Sequence, residues 1–491
     1  MTMNIDMNID MNVNMNVTMN VNMTIYSLKC FENIKNTEDV EELYFDDSFN
    51  SPLKHNLDNF TNLKKIKFGE KFDQPLYDSL YTLVDLKELI FGTNYNCKLN
   101  NSLSKLINLE KLVFGYEFNR NLKDSLYNLT SLKYLEFGYK YNKMLSLSLI
   151  KLKNLEILIF GNKFNQSFEN NLDELKNLKQ LFIGNEFNQP ITINFKKLLN
   201  LKELKFGYHF NKSVGIYLDK QINLEKITFG YNFNQRLINS IGNSSINLVN
   251  LKELVFGNNF DKPLDNSFEN LINLEKIIFG YKFNQSLEKS LNYLISVKEL
   301  VFGNNFNKPL NNSLEKLLNL EKIIFGYKFN QPVENSLTKL INLKELVFGN
   351  DFNQPLNYLL VCLINLKLLY LGNNFFHNLE IPCSINDLKI CTDIPNLLDN
   401  LPNSIERLLL GENIVSKIDN LPNSIKILVI GFESNYKHDL NNLPNSIEII
   451  ILPEYFNKKI NIPLNLKRVN CSKYYKFIED FKNKCEIFSY E

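Results

Sequence analysis

Residues 273–285 read NLEKIIFGYKFNQ, and residues 319–331 read NLEKIIFGYKFNQ again. The two copies lie 46 residues apart, and half that distance is the true period. A glycine recurs at 69, 92, 115, 138, 161, 184, 207 and 230, then at 257, 280, 303, 326, 349 and 372, always in steps of 23. Only the step from Gly230 to Gly257 differs, at 27, and Asp46 takes the glycine position one period before Gly69, which makes fifteen copies. Phe precedes this position in thirteen copies and follows it by three in thirteen, so these two columns use 26 of the 38 phenylalanines of a chain that has no Trp. Four residues after the glycine stands Asn in twelve copies, Asp73 and Asp261 in two, and Phe376 in the last.

Within one period, Leu86, Leu89 and Phe91 have the L-x-x-L-x-L spacing of a leucine-rich repeat. Alternation places Leu89 and Phe91 on one face of a short strand. The FNQPL-type segment that follows is interrupted by Pro and favours a turn, and Leu80, Leu83 and Leu86 allow a single helical or 3₁₀ turn before the next strand. One unit cannot bury its apolar face alone, whereas stacked units lay identical columns against one another. The asparagines, able both to donate and to accept, are expected to tie the loops of successive coils into a ladder.

After Gly372 the period shortens. Pro382, Pro402, Pro422, Pro444 and a degenerate Pro463 open five coils of 19–22 residues, as in LPNSIERLLLG (401–411) and LPNSIKILVIG (421–431). The fold expected is a leucine-rich-repeat-like solenoid of about twenty coils. Its parallel β-sheet lines the concave side, with irregular, short helical or 3₁₀ segments on the convex side. Expected boundaries are a low-complexity Met/Asn tail over 1–23, disordered in solution; an N-terminal cap and first strand over 24–45; the 23-residue array over 46–372; the shorter repeats over 373–470; and a C-terminal cap over 471–491. In that last cap Phe477, Ile478 and Phe481 stand at helical spacing. The extra residues of the 27-residue step are expected near Gly242–Ser245, as a bulge away from the sheet.

The FNQPL at 352–356, FNQPV at 329–333 and FNQPI at 187–191 resemble the FNIP-type repeat, a variant of the leucine-rich repeat, and LPNSIKILVIG is similar to its strand half. The resemblance spans about residues 40–470. It implies a non-enzymatic interaction scaffold, of a kind common in social amoebae and in giant DNA viruses that infect amoebae. Some relatives carry an F-box and serve as substrate-recognition adaptors of a ubiquitin ligase; residues 1–45 show no F-box-like pattern. No catalytic residue is implied.

Formal net charge is +1 over 491 residues, which argues against a chain built on attraction to nucleic acid or anionic lipid. The seven cysteines form no C-x-x-C, and the four histidines lie far from them in sequence. No metal, no cofactor and a cytoplasmic setting, host-cell cytoplasm if the chain is viral, are the expectation. No phosphate loop, zinc-protease motif or nucleophile elbow occurs, so the chain is expected not to be an enzyme; an enzymatic site in the irregular C-terminal block is the alternative of another class. The tetrad MNID MNID MNVN lacks a leader's basic start and apolar run, and no stretch reaches the length of a membrane span.

Five and four residues before the glycine, charges alternate along the array: Lys202, Glu225, Lys252, Glu275, Lys298, Glu321, Lys344 in one row and Glu203, Lys226, Glu253, Lys276, Glu299, Lys322, Glu345 in the next. In a parallel ladder each Lys then neighbours a Glu. Between these rows and the glycine run Val255, Ile278, Val301, Ile324 and Val347, with Tyr281 and Tyr327 just beyond. These seven residues are the expected contact surface for an unidentified protein partner, a host protein in the viral case, with no nucleic-acid or membrane partner.

Overall fold

The computed structural model describes residues 21–490 apart from 26, 33, 192–194, 215–217, 219–222, 238–247 and 289. The expected bulge at 242–245, and residues 1–20 of the expected tail, lie outside the described residues. Two compact units divide the chain, Met1–Leu251 and Lys252–Glu491. Each is a parallel β-solenoid. The described residues of the first contribute ten strands, from Val21–Ile25 and Val40–Phe45 to Lys226–Thr228; those of the second contribute twelve, from Glu253–Val255 to Glu486–Tyr490. Neighbouring strands of the array pair in register at the repeat distance, Lys111 with Tyr134 and Glu299 with Lys322 for example.

Helix is sparse. Lys29–Glu32, Glu334–Leu337 and Asn357–Cys362 are the described α-helical stretches, and 3₁₀ turns such as Phe195–Lys197 supply most of the rest. The first strand begins at Val21, so the last residues of the Met/Asn tract already pair in parallel with Val40–Phe45. Phe31 closes this end, its ring 6.3 Å from Phe45 and 6.1 Å from Phe60. At the other end the spacing of Phe477, Ile478 and Phe481 resolves into one 3₁₀ turn over Ile478–Phe481, followed by a last strand that pairs with Arg468–Ser472.

Each regular coil turns seven apolar side chains inward. In the coil after Gly69 these are Phe72, Leu76, Leu80, Leu83, Leu86, Leu89 and Phe91, none more than 3% exposed. The two phenylalanine columns form parallel stacks. Phe114 lies 4.0 Å from Phe118 within its coil and 5.7 Å from Phe137 in the next, with planes 13° and 7° apart. Such offset stacking adds to plain area burial.

The asparagine ladder forms as its column predicts. Asn119 N–H donates to Asn96 Oδ1 at 2.9 Å, Asn142 to Asn119 at 3.0 Å, and Asn165 to Asn142 at 2.9 Å. Asp73 and Asp261 serve as acceptors in the same geometry, and Phe376, which brings no acceptor, ends the ladder by donating its N–H to Asn353 Oδ1. A second asparagine column, sixteen residues after the glycine, donates side-chain amide to the carbonyl of the preceding coil, as Asn154 does to Thr130 at 2.9 Å and Asn342 to Leu318 at 2.9 Å. In the shorter coils serine takes over this link: Ser404 Oγ donates to Ile385 O at 2.7 Å and Ser424 Oγ to Ile405 O at 2.7 Å.

The repeated glycine answers to crowding rather than to dihedral freedom, because no described glycine has positive φ. A β-carbon on Gly138 would overlap the carbonyl of Gly115, and one on Gly92 that of Gly69. The obstacle is the backbone of the preceding coil and cannot swing away. Positive φ falls instead eight residues after the glycine, on Lys54, Tyr77, Asn100, Lys123, Ser146, Glu169, Asp265, Glu288 and Asn311, at 40–48°.

Two outcomes follow from this packing. Gly138→Ala should cost about 3 kcal/mol or more in urea unfolding, whereas Gly431→Ala, whose β-carbon would meet its nearest neighbour at 3.3 Å, should cost about 1 kcal/mol or less. In the ladder, Asn119→Asp should be nearly neutral, as Asp73 already shows, while Asn119→Ala should lower stability by about 1 kcal/mol through the lost bond to Asn142.

Candidate protein-interaction surface

The outward face of the sheet is built from the residues that flank each inward Leu or Ile. Strand Lys276–Ile278 shows the rule: Ile277 is fully buried while Lys276 and Ile278 are half-buried on the opposite face. Val255, Ile278, Val301, Ile324 and Val347 are direct neighbours in register, each paired with the next. The structure therefore assembles all five into one unbroken row. Tyr281 and Tyr327 stand beyond the strand ends, each 49% exposed and two coils apart, with Asn304 between them in sequence phase. In the first unit tyrosines of this column fall in adjacent coils and stack on each other, Tyr116 on Tyr139 and Tyr208 on Tyr231, both at 4.5 Å.

The charge rows pair across coils. Lys276 meets Glu299 at 2.9 Å, Lys322 meets Glu345 at 2.8 Å, Lys298 meets Glu275 at 2.9 Å and Lys344 meets Glu321 at 2.9 Å. The hydrogen bond that Lys322 donates to Glu345 raises the lysine's pKa. In the first unit Glu110 accepts from both Lys133, at 2.6 Å, and Lys87, at 3.0 Å, and these two bonds hold its carboxyl below the usual range. Lys467 does the same to Glu448. Such exposed pairs contribute little each to stability and are screened by salt.

The apolar row extends further than the repeat consensus indicates. Register carries it from Val347 to Tyr370, past Lys389, and on through Leu409, Val429 and Ile451. In the shorter coils the charged row beside it also turns apolar, at Ile427 and Ile449. The broadest apolar part of this face is thus Leu409, Ile427, Val429, Ile449 and Ile451, all half-buried. The signal was present in the runs ILVIG and IIIL, where both outward positions are aliphatic, and in RLLLG, where Leu409 is. Between the two apolar stretches lies a polar knot. Arg407 Nη1 donates to Asp387 Oδ2 at 3.2 Å and to Tyr370 OH at 3.3 Å, while buried Asp387 Oδ1 has no partner. Burial, and then the Asp387 charge, push the Tyr370 hydroxyl pKa up. Sequence spacing gave no sign of this cluster, because its members come from three coils of unequal length.

No group of three His, Cys, Asp or Glu among the described residues is placed to hold a metal ion. No described helix is long and apolar enough to cross a membrane.

Parallel in-register strands, inward Leu and Phe columns and turn-rich returns define a leucine-rich-repeat fold. No family model matches the chain, and no curated protein matches it in sequence. Among solved structures it is similar to CroV588, a circular leucine-rich-repeat protein of a giant virus, with 24% identity, a TM-score of 0.59, and coverage of 94% of this chain and 87% of that one. It is similar also to a leucine-rich-repeat protein of Leptospira interrogans (18% identity, TM-score 0.50, 95% and 100% coverage) and to TLR13 in its complex with ssRNA13 (17%, 0.51, 95% and 83%). These likenesses establish the fold.

The paired carboxylates set an acid limit. Glu110 and Glu448 have depressed pKa values in the folded chain, so their contribution is complete above the ordinary carboxylate range and is lost as pH falls through the depressed values. The thermal midpoint should be flat near neutrality and fall below the carboxylate range. Glu110→Gln should remove part of that fall, and raised salt should shrink the difference between the two proteins.

Proposed function

We propose that this chain is a non-enzymatic protein–protein interaction scaffold of the FNIP type, working in the cytoplasm. Its partner, a host protein where the chain is viral, is proposed to lie across the open sheet face of the second unit. The observation that carries this reading is the apolar row Val255, Ile278, Val301, Ile324 and Val347, uncovered on a face whose flanking charges already satisfy one another. Leu409, Val429 and Ile451 continue it. A partner that covers this row gains roughly 25 cal/mol per Å² of apolar surface, with Tyr281 and Tyr327 at its margin suited to protein contact. The same charge pairing leaves no uniformly basic stripe for a phosphate backbone, which favours a protein over a nucleic acid. The cytoplasmic setting is supported by cysteines that form no disulfide among the described residues.

The test replaces Ile278, Val301 and Ile324 together by Thr, which keeps β-branching, and separately Val429, Ile449 and Ile451 by Thr. Both proteins should remain folded by circular dichroism. The first should lose most of the partner retained by the unaltered chain in quantitative pull-down from host cells. Undiminished retention by both would sink the reading.

A further inference from the structure

Three consecutive coils of the first unit depart from the repeat at the same two positions. Where four other coils carry Gln–Pro, as at Gln74–Pro75 and Gln189–Pro190, these carry Cys97–Lys98, Arg120–Asn121 and Lys143–Met144. The usual glutamine is a brace: Gln166 Nε2 donates to Asn142 Oδ1 at 2.9 Å, and Gln189 Nε2 to Asn165 Oδ1 at 3.2 Å. Where the glutamine is replaced, Cys97 still donates its thiol to Asp73 Oδ1 at 3.3 Å, and there is a cavity of about 630 Å³, lined by Lys98, Arg120, Lys123 and Lys143 with the amides of Asn119 and Asn121. Beside it lies a second hollow of about 370 Å³, lined by Ser104, Tyr127 and Asn128. The two share Asn100, Asn101, Asp124 and Ser125 as a common wall.

The charge balance of this cavity is unlike that of the sheet face. Four cations confront one lining carboxylate, Asp124, and among the described residues none of the four lies within ion-pair distance of an acid. Arg120 is held in place by its Nε, which donates to the Asn96 carbonyl at 2.7 Å. Elsewhere in the same unit Lys140, for one, has its glutamate, Glu117, at 2.7 Å. The size falls within the range of about 300–1,000 Å³ usual for small-molecule sites, but such sites are mostly apolar and this one has amides and ammonium groups instead. It offers no greasy slot for a nucleobase. Its donors suit anionic oxygens, with guanidinium and ammonium both strong partners for phosphate.

We propose that this cavity binds a small hydrophilic ligand bearing two or more phosphate groups. The phosphates lie among Lys98, Arg120, Lys123 and Lys143, and the hydroxyls of the ligand body reach Asp124, Ser104 and Asn128 in the adjoining hollow. This site is separate from the proposed protein-binding face, so either can stand without the other.

Calorimetric titration of the full chain with pyrophosphate and with fructose 1,6-bisphosphate tests it, at about 0.15 M ionic strength where non-specific charge attraction is screened. One saturable site is expected, tighter for the sugar bisphosphate. Arg120→Gln with Lys143→Gln installs the residue that Gln166 and Gln189 show at the same repeat position, and binding should weaken about tenfold or more from two lost charge-assisted contacts. Lys262→Gln with Lys308→Gln alters the same column in the second unit, beside Pro263 and Pro309, and should change nothing. If the first pair fails to fold, protection of Lys98, Lys123 and Lys143 from acetylation by the sugar bisphosphate in the unaltered protein, read by mass spectrometry, decides in its place. Absence of saturable binding, or equal weakening by both pairs, overturns the site. Pyrophosphate binding as tightly as the sugar overturns the role of the hollow.

Discussion

Successive coils approach one another as closely as a parallel ladder requires, about 4.8 Å per strand, and this spacing is hardest to reach where backbone meets backbone at the glycine column. Everything else is tuned to the approach that glycine permits. The ring stacks repeat at 5.2–5.7 Å between Phe325 and Phe348 or Phe114 and Phe137. The Asn side chain has just the reach to meet the next coil's N–H, 2.9 Å in Asn353 to Asn330, and the Lys and Glu heads meet because their strands are adjacent. A side chain at the glycine position would push the coils apart and loosen all of these at once, which is why composition can drift at most positions while this one is glycine in every 23-residue coil after Asp46.

Most of the fold was legible because a repeat multiplies each weak signal. A single Phe three residues after a Gly says little; thirteen say that the column is buried. The Asn ladder and the alternating Lys/Glu rows were readable for the same reason, and the structure forms both. What escaped were features whose residue types carry no distinctive preference. Tyr77, Lys123 and Glu169 adopt the left-handed conformation although none favours it, since the path of the chain around the turn imposes it. The serine column of Ser102 and Ser148 was visible but unread. Buried Ser102 donates to the Leu99 carbonyl at 2.6 Å, and Ser148 likewise to Leu145, a local bond that sequence cannot distinguish from solvation.

The candidate surfaces were legible to different degrees. The five-residue row was read correctly as a row, since strand alternation and a fixed period leave no freedom in where Val301 can lie relative to Ile278 and Ile324. Its extension through Leu409, Val429 and Ile451 was hidden by the change of period. The Tyr370–Asp387–Arg407 knot and the basic cavity were not legible at all, for they arise where neighbouring coils differ from the consensus together. In a repeat protein the columns describe the scaffold, and the departures from them describe what is particular to the molecule.

Because Lys and Glu alternate from coil to coil, the charge rows impose a parity on the array. Insertion or loss of one 23-residue coil between Lys202 and Glu345 would set Lys beside Lys in one row and Glu beside Glu in the other at the junction. Insertion or loss of two leaves every pair intact. The identical segments at 273–285 and 319–331, two coils apart, are what growth by pairs leaves behind. Length in this protein is therefore a quantity with a natural step of 46 residues, and lineages that descend from it should differ in the 202–345 region by even numbers of coils.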